Sequence, residues 1–318
     1  MRTETFRHGQ RTNGGAQVPQ REPLRVVDFG EFLSMTIPAR QMILSPWLLS
    51  QSVTMLYGPR GQGKTNVALS IGHAVATGGE VLGWKAERPR KVLYVDGEML
   101  GAPLQERLIS IAAGAGKMPP NGMFGIITPD LQSRWMPNLG TLEGQAVLEE
   151  AIPEDTELLI LDSLSSLLRV DASENDDQSW TPLADWALRQ RVARRSVLFL
   201  HHANRRGEQR GTSKREDLLD VTLALRRPAD YHPNKGARFE IHIEKSRALC
   251  PGFVSLEAEL SSGADGGVTW LYKQLEQSLE ERIRRMDADG MPKREIAEEL
   301  HINRSRVYRV LARAKEGA

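Results

Sequence analysis

Gly58-Pro59-Arg60-Gly61-Gln62-Gly63-Lys64-Thr65 matches the spacing G-x-x-x-x-G-K-[ST]. Glycines so placed let backbone N–H groups turn inward around phosphate oxygens, and a following helix adds the positive end of its dipole. In that chemistry Lys64 reaches the β- and γ-phosphates and the Thr65 hydroxyl ligates Mg²⁺. The run from Gly58 to Asn66 is therefore the candidate cradle for ATP and its magnesium.

Two further strand ends carry acids. ELLILDSLSSLL places Asp162 at the end of an apolar run, where a carboxylate is costly unless it faces a cation or a donor. Beside the phosphate loop it would hold Mg²⁺, partly through water; as an alternative it caps a helix, since Ser163 and Ser165 follow. VLYVDGEM puts Asp96, Gly97 and Glu98 at another strand end. Glu98 is the candidate general base for the attacking water, with Asp96 as its competitor and a structural cap as the plain alternative for either.

These residues need a scaffold that gathers strand ends at one edge. VTMLY (53–57), KVLYVD (91–96), FGIIT (124–128), ELLILD (157–162) and SVLFLHH (196–202) alternate with helical segments, the first of which has Val67, Ile71 and Val75 at helical spacing. The last two runs are almost unbroken apolar stretches, as strands buried on both faces require. The alternation predicts an α/β domain with βαβ units and a mostly parallel sheet, whose carboxyl edge is where ligands bind. LLDVTLAL (218–225), ARFEIHIEK (237–245) and GVTWLYK (267–273) leave little room for helices and predict an antiparallel extension. The apolar lead-in 37–49 is expected to pack on this core or touch a neighbouring subunit. Residues 1–25 read as a flexible polar tail, 26–275 as the α/β domain and 278–318 as a small helical unit.

Composition narrows the partners. With 42 Lys and Arg against 41 Asp and Glu, global charge cannot attract nucleic acid, so local patches must. A single cysteine, Cys250, forms no internal disulfide. The N-terminal stretch has no apolar signal core and no run approaches a bilayer span, which points to a soluble cytoplasmic protein without a membrane partner.

On the phosphate loop, the strand ending in Glu98, ELLILDS, HHANRRGEQRGTSKREDLLD and EKSR, the region 37–272 resembles the RecA-like P-loop family. Within it the chain is most similar to the hexameric plasmid replicative helicases of the RepA kind and their AAA-family relatives. The resemblance implies that Glu98 activates water. It implies that His202, with His201 beside it, senses the γ-phosphate and couples it to the loop 203–216. That loop carries Arg205, Arg206, Arg210, Lys214 and Arg215, and flexible cationic loops suit single-stranded phosphate backbones; a solvated basic loop is the bland alternative. The resemblance further implies that Arg247, assisted by Lys245, reaches the neighbouring subunit's nucleotide as a charge-neutralising finger. A surface ion pair is the competing reading. No zinc-site cysteines of the primase kind and no sizeable N-terminal helical domain accompany these motifs.

MPKREIAEELHINRSRVYRVLARAKE resembles the helix-turn-helix of resolvases and sigma-like regulators. Ile296, Ala297, Leu300, Ile302, Val307 and Val310 or Leu311 have the spacing to pack two helices at a steep angle. Asn303 can cap the second, leaving Arg304, Ser305, Arg306, Tyr308 and Arg309 outward, toward duplex DNA. From residue 282 to 315 ten Lys or Arg face five Asp or Glu, a local positive excess. Subunit contact is the alternative use. The expected function is an ATP-driven DNA motor, a helicase working as a homo-oligomer, in the form of a hexameric ring. A recombination or repair ATPase forming filaments and a nucleotide-gated DNA-binding regulator are the other readings.

Overall fold

The computed structural model describes residues 24–133, 135–168, 176–203, 217–228, 230–232, 236–247, 250, 252–275 and 279–316, with the backbone alone at 176–179, 280–281 and 313–316. The chain divides into two units, Met1–Ala39 and Arg40–Ala318. In the first, Asp28 accepts the Gly30 N–H at 2.9 Å and caps a short helix, α1 (Phe29–Ser34), that buries none of its residues.

The second unit holds the elements β1 (Met42–Leu44), β2 (Leu48–Leu49), β3 (Val53–Gly58), α2 (Lys64–Thr77), β4 (Glu80–Val81), β5 (Trp84–Lys85), β6 (Val92–Asp96), α3 (Gly101–Ala115), β7 (Phe124–Ile127), α4 (Leu142–Ala151), β8 (Leu158–Asp162), α5 (Leu164–Leu167), α6 (Asp176–Val192) and β9 (Ser196–His202). After them come β10 (Val221–Arg226), β11 (Arg238–Ser246), β12 (Leu256–Ser262), β13 (Val268–Gln274), α7 (Leu279–Ala288), α8 (Lys293–Glu299) and α9 (Arg304–Glu316).

Nine strands form one sheet in the order β13-β12-β11-β10-β3-β9-β8-β6-β7. The six from β10 to β7 run parallel, and β11 to β13 add the antiparallel extension. Every residue of β3 and β8 is buried, which is why their sequences are mostly apolar. This is the α/β architecture with a mostly parallel sheet that the sequence predicts, with one correction. The sequence assigns β10 to the antiparallel extension, yet it pairs parallel with β3 and only its other edge is antiparallel. The chain between β9 and β10 is long enough to return to the starting edge, as a parallel crossover demands.

Strand alternation splits the core in two. One face of the sheet carries Leu56, Tyr94, Ile160, Leu198 and Leu200 against Val67, Leu69 and Ile71 of α2. The lead-in joins that face through Ile43, Leu44, Trp47 and Leu48, so it packs as core. The other face sets Met55, Leu159, Leu161 and Phe199 against Leu183 and Trp186 of α6. Each such side chain contributes about 1.5–3 kcal/mol on burial.

The last three helices build a core of their own from Ile283, Ile296, Ala297, Leu300, Val307 and Val310. Asn303 Oδ1 accepts the Ser305 N–H at 3.3 Å before α9. Arg304, Ser305, Arg306, Tyr308 and Arg309 are all exposed, with the Lys293 ammonium 5.0 Å from the Tyr308 ring centre. Among the described residues no helix is long and apolar enough to cross a membrane.

Candidate functional site

Strand β3 ends at Gly58, where no side chain fits: a Cβ would lie 2.9 Å from both the Leu225 side chain and its carbonyl. Gly63, at φ +96°, then turns the chain into α2 through a conformation that side-chain-bearing residues rarely adopt. The first N–H groups of α2 point into this turn without partners in the helix. Lys64 is buried and its ammonium donates to the carbonyls of Gly58 and Pro59 at 2.9 and 2.8 Å. Burial lowers its pKa to about 8, Asp162 pulls it back up, and Arg60 lowers it further. A phosphate in the turn would hold that ammonium charged. Gln62 is 2% exposed, and neither atom of its amide has a hydrogen-bond partner. An unsatisfied buried amide inside a glycine turn fits a site shaped for an anionic ligand.

The Thr65 hydroxyl donates to Asp162 Oδ2 at 2.6 Å. These are two hard oxygen donors at the mouth of the loop, a set that suits Mg²⁺. When bound, that ion would neutralise phosphate charge. Asp162 does not cap α5; Ser163 does, together with Ser166. Burial raises the Asp162 pKa, while its bonds from Thr65 and Tyr94 pull the other way. Tyr94 donates to Asp162 Oδ2 at 2.7 Å from full burial. It is a site residue that no motif marks. The pairing of strands places it: Tyr94 and Asp96 share a face of β6, and Asp96 pairs in register with Asp162.

The two acids after β6 separate cleanly. Asp96 is buried, and its Oδ1 accepts the N–H groups of Glu98 and Met99 at 2.8 and 2.6 Å. It shapes the turn. Glu98 is exposed at the same edge, within electrostatic reach of Lys64, Asp162 and Asp96. Arg107 of α3 reaches this region too, donating to Asn66 Oδ1 at 3.3 Å. Helical amphipathicity alone does not flag it.

Asp96 carries a pH signature. Burial raises its pKa to about 6, with two backbone bonds opposing and the charges of Asp162 and Glu98 adding. The folded state therefore keeps this proton longer than the unfolded chain does. The resulting cost is absent below the unfolded pKa and complete above the folded one, so stability falls across that window. Asp96→Asn keeps an oxygen for the two N–H groups and removes the charge. In nucleotide-free, magnesium-free buffer the variant is expected to match wild type near pH 4 and to exceed it by about 2–3 kcal/mol near pH 7. Urea unfolding across pH checks this, and a difference independent of pH would contradict it.

On β9 alternation separates the histidines. His202 pairs in register with Gly58 and lies on the face of Leu198 and Leu200, the face of α2. His201 lies on the opposite face and is buried. The Ala203 N–H donates to the Gly58 carbonyl at 3.0 Å, joining the end of β9 to the phosphate loop. Arg205, Arg206, Arg210, Lys214 and Arg215 lie outside the described residues.

Lys245 and Arg247 are elsewhere. Lys245 pairs with Thr222, which pairs with Met55, and the Arg247 N–H donates to the carbonyl of Asp220, whose own N–H bonds Val53. Arg247 is thus level with the amino end of β3, five residues before Gly58, or roughly 16 Å along the strand. Between them a bulge at Glu244 interrupts the ladder, and that carboxylate accepts from Tyr57 and from Arg226. The chain does not bring this pair to its own phosphate loop.

Residues 19–208 match the family model described as an AAA domain, which spans more than half of the chain. The chain belongs to the AAA-domain family. The residues of the AAA domain include the phosphate loop, Glu98, Asp162 and both histidines, so the protein is a P-loop ATPase. Residues 283–318 match a homeodomain-like domain, over α8, α9 and most of α7. Among solved structures, the RadB recombinase aligns at 19% identity over 69% of this chain and 90% of its own, with a TM-score of 0.48. A KaiC-like protein of the hyperthermophilic archaeon Pyrococcus horikoshii OT3 aligns at 16% identity over 70% of this chain and 91% of its own, with a TM-score of 0.49. No curated protein matches the chain.

Proposed function

We propose that the protein is an ATP-driven DNA motor, a replicative helicase of the RepA kind, acting in the cytoplasm as a hexameric ring. The observation that carries this reading is the division of the ATP machinery. Lys64, Thr65, Asp162 and Glu98 meet at one edge of the sheet, while Lys245 and Arg247 stand toward the other. A nucleotide shared between copies reunites the two halves, with Glu98 taking the water's proton and Arg247 of the next copy neutralising transition-state charge. His202, on the phosphate face, relays the state of the nucleotide to the basic segment 203–216, which grips single-stranded DNA. Residues 26–275 form the motor, and 278–318 add a duplex contact through Arg304, Ser305, Arg306, Tyr308 and Arg309.

The exposed basic face of α9 supports a second reading, a regulator whose helix-turn-helix is the output and whose nucleotide is a switch. ATP turnover measured with and without single-stranded DNA separates the two, with a Lys64→Ala sample as the blank. A motor is expected to hydrolyse ATP several-fold faster with DNA present and to unwind a forked duplex. Turnover indifferent to DNA, with tight sequence-specific duplex binding, would replace the motor with the regulator.

A further inference from the structure

A tyrosine hydroxyl in a protein core has to find an acceptor, because burial without one is costly. Tyr94 lies on the α2 face of β6, fully buried in the core cluster that holds Val67 and Ile71. Packing at the density of a protein interior keeps such a ring in one place. Its partner in register on β8 is Ile160, yet its hydroxyl reaches two residues further along that strand, to Asp162.

The acceptor is one atom shared with the phosphate loop. Asp162 Oδ2 accepts from Tyr94 at 2.7 Å and from Thr65 at 2.6 Å, the short range of hydroxyls bonded to a carboxylate. A carboxylate oxygen offers about two lone-pair sites, so protein protons fill Oδ2. Among the described residues no group donates to Oδ1. The only hydroxyl proton of Thr65 is committed to this bond, which leaves the lone pairs of its oxygen for a cation. The two O–H groups thereby sort the oxygens of the site. Oδ2 is tied to the protein, while Oδ1 and the Thr65 oxygen are left to an ion and its water.

The two anchors of Oδ2 are not equivalent. Thr65 is the second residue of α2 and part of the loop that itself engages the nucleotide. Asp162 is the last residue of β8, and an aspartate carboxylate turns in a broad torsional well unless something holds it. Tyr94, enclosed in the core, holds Oδ2 whether or not a ligand is bound.

We propose that Tyr94 is a positioning residue of the magnesium site, fixing the Asp162 carboxylate so that Oδ1 and the Thr65 oxygen serve the ion together. The inference rests on the reading of Thr65 and Asp162 as the magnesium pair, and it adds the group that sets their orientation.

Calorimetric titration of the full chain with ADP, in magnesium chloride and in EDTA, tests this without reference to turnover. Wild type is expected to bind ADP more tightly with magnesium present. Tyr94→Phe keeps the ring in the core and removes the hydroxyl alone. It is expected to match wild type in EDTA and to need about 10- to 100-fold more magnesium for the same gain, the usual loss when a partner behind a metal ligand is removed. Tyr94→Met fills similar space without a donor and is expected to behave alike, which covers a Phe variant that does not fold. Asp162→Asn is expected to lose the gain, and adding Tyr94→Phe to it is expected to change nothing more. ADP affinity lowered equally with and without magnesium would make Tyr94 a packing residue and overturn the inference. A wild-type magnesium requirement in Tyr94→Phe, with the gain still lost in Asp162→Asn, overturns it too and leaves the magnesium pair standing. If Asp162→Asn keeps the full gain, the reading of the pair falls and the role of Tyr94 falls with it.

Discussion

Arg247→Ala is expected to lower ATP turnover by about 10³-fold or more while ATP still binds. The reason is position. Arg247 is exposed, its backbone is fixed by the bond to the Asp220 carbonyl, and it stands toward the end of the sheet away from Gly58 of the same chain. No bond rotation within one chain carries a guanidinium across that separation, so any role in hydrolysis has to be played on a neighbouring copy. This gives the experiment a feature that an ordinary activity loss lacks. Lys64→Ala subunits keep the finger and lose the cradle, whereas Arg247→Ala subunits keep the cradle and lose the finger. Mixing the two inactive variants is expected to restore turnover at interfaces where an intact loop meets an intact finger. A mixture as silent as its components, or an Arg247→Ala enzyme with ordinary turnover, would remove the finger from the mechanism and weaken the case for a ring.

The phosphate loop is readable from sequence because its chemistry is local. Consecutive residues, two glycines with restricted replacements and a lysine at fixed spacing are enough to define the turn. Asp162 is legible for a related reason: a carboxylate ending an apolar strand pays a desolvation cost that a cation or a donor has to offset. Tyr94 is not, because its value lies in a contact between β6 and β8, strands separated by more than sixty residues, and a buried tyrosine looks like ordinary core. The parallel direction of β10 escapes the sequence on similar grounds. Its residues are equally apolar in either direction, and only the crossover back to β3 fixes which way it runs. The choice between Asp96 and Glu98 is open in the sequence, where both stand at the same strand end. Hydrogen bonding separates them, since one carboxylate is occupied by the turn and the other is exposed. The histidines are divided by the pleat, a period of two that places only His202 on the face of α2.

That separation of the acids leads to the other large effect. Glu98→Gln is expected to bind ATP with near-normal affinity and to hydrolyse it about 10²- to 10⁴-fold more slowly, the range for losing a positioned proton acceptor. Gln preserves the size and polarity of the side chain and removes only its basicity, so the turn set by Asp96 persists. Asp96→Asn has the reverse profile, a change in stability with pH and a smaller change in the chemical step, because its oxygen serves the backbone. Single-turnover measurements under saturating ATP compare the two directly. If Asp96→Asn removes the chemical step and Glu98→Gln leaves it intact, the base has been assigned to the wrong carboxylate. If Glu98→Gln traps ATP between copies, the long-lived complex also gives the state in which contact between Arg247 and the partner's nucleotide can be tested by crosslinking.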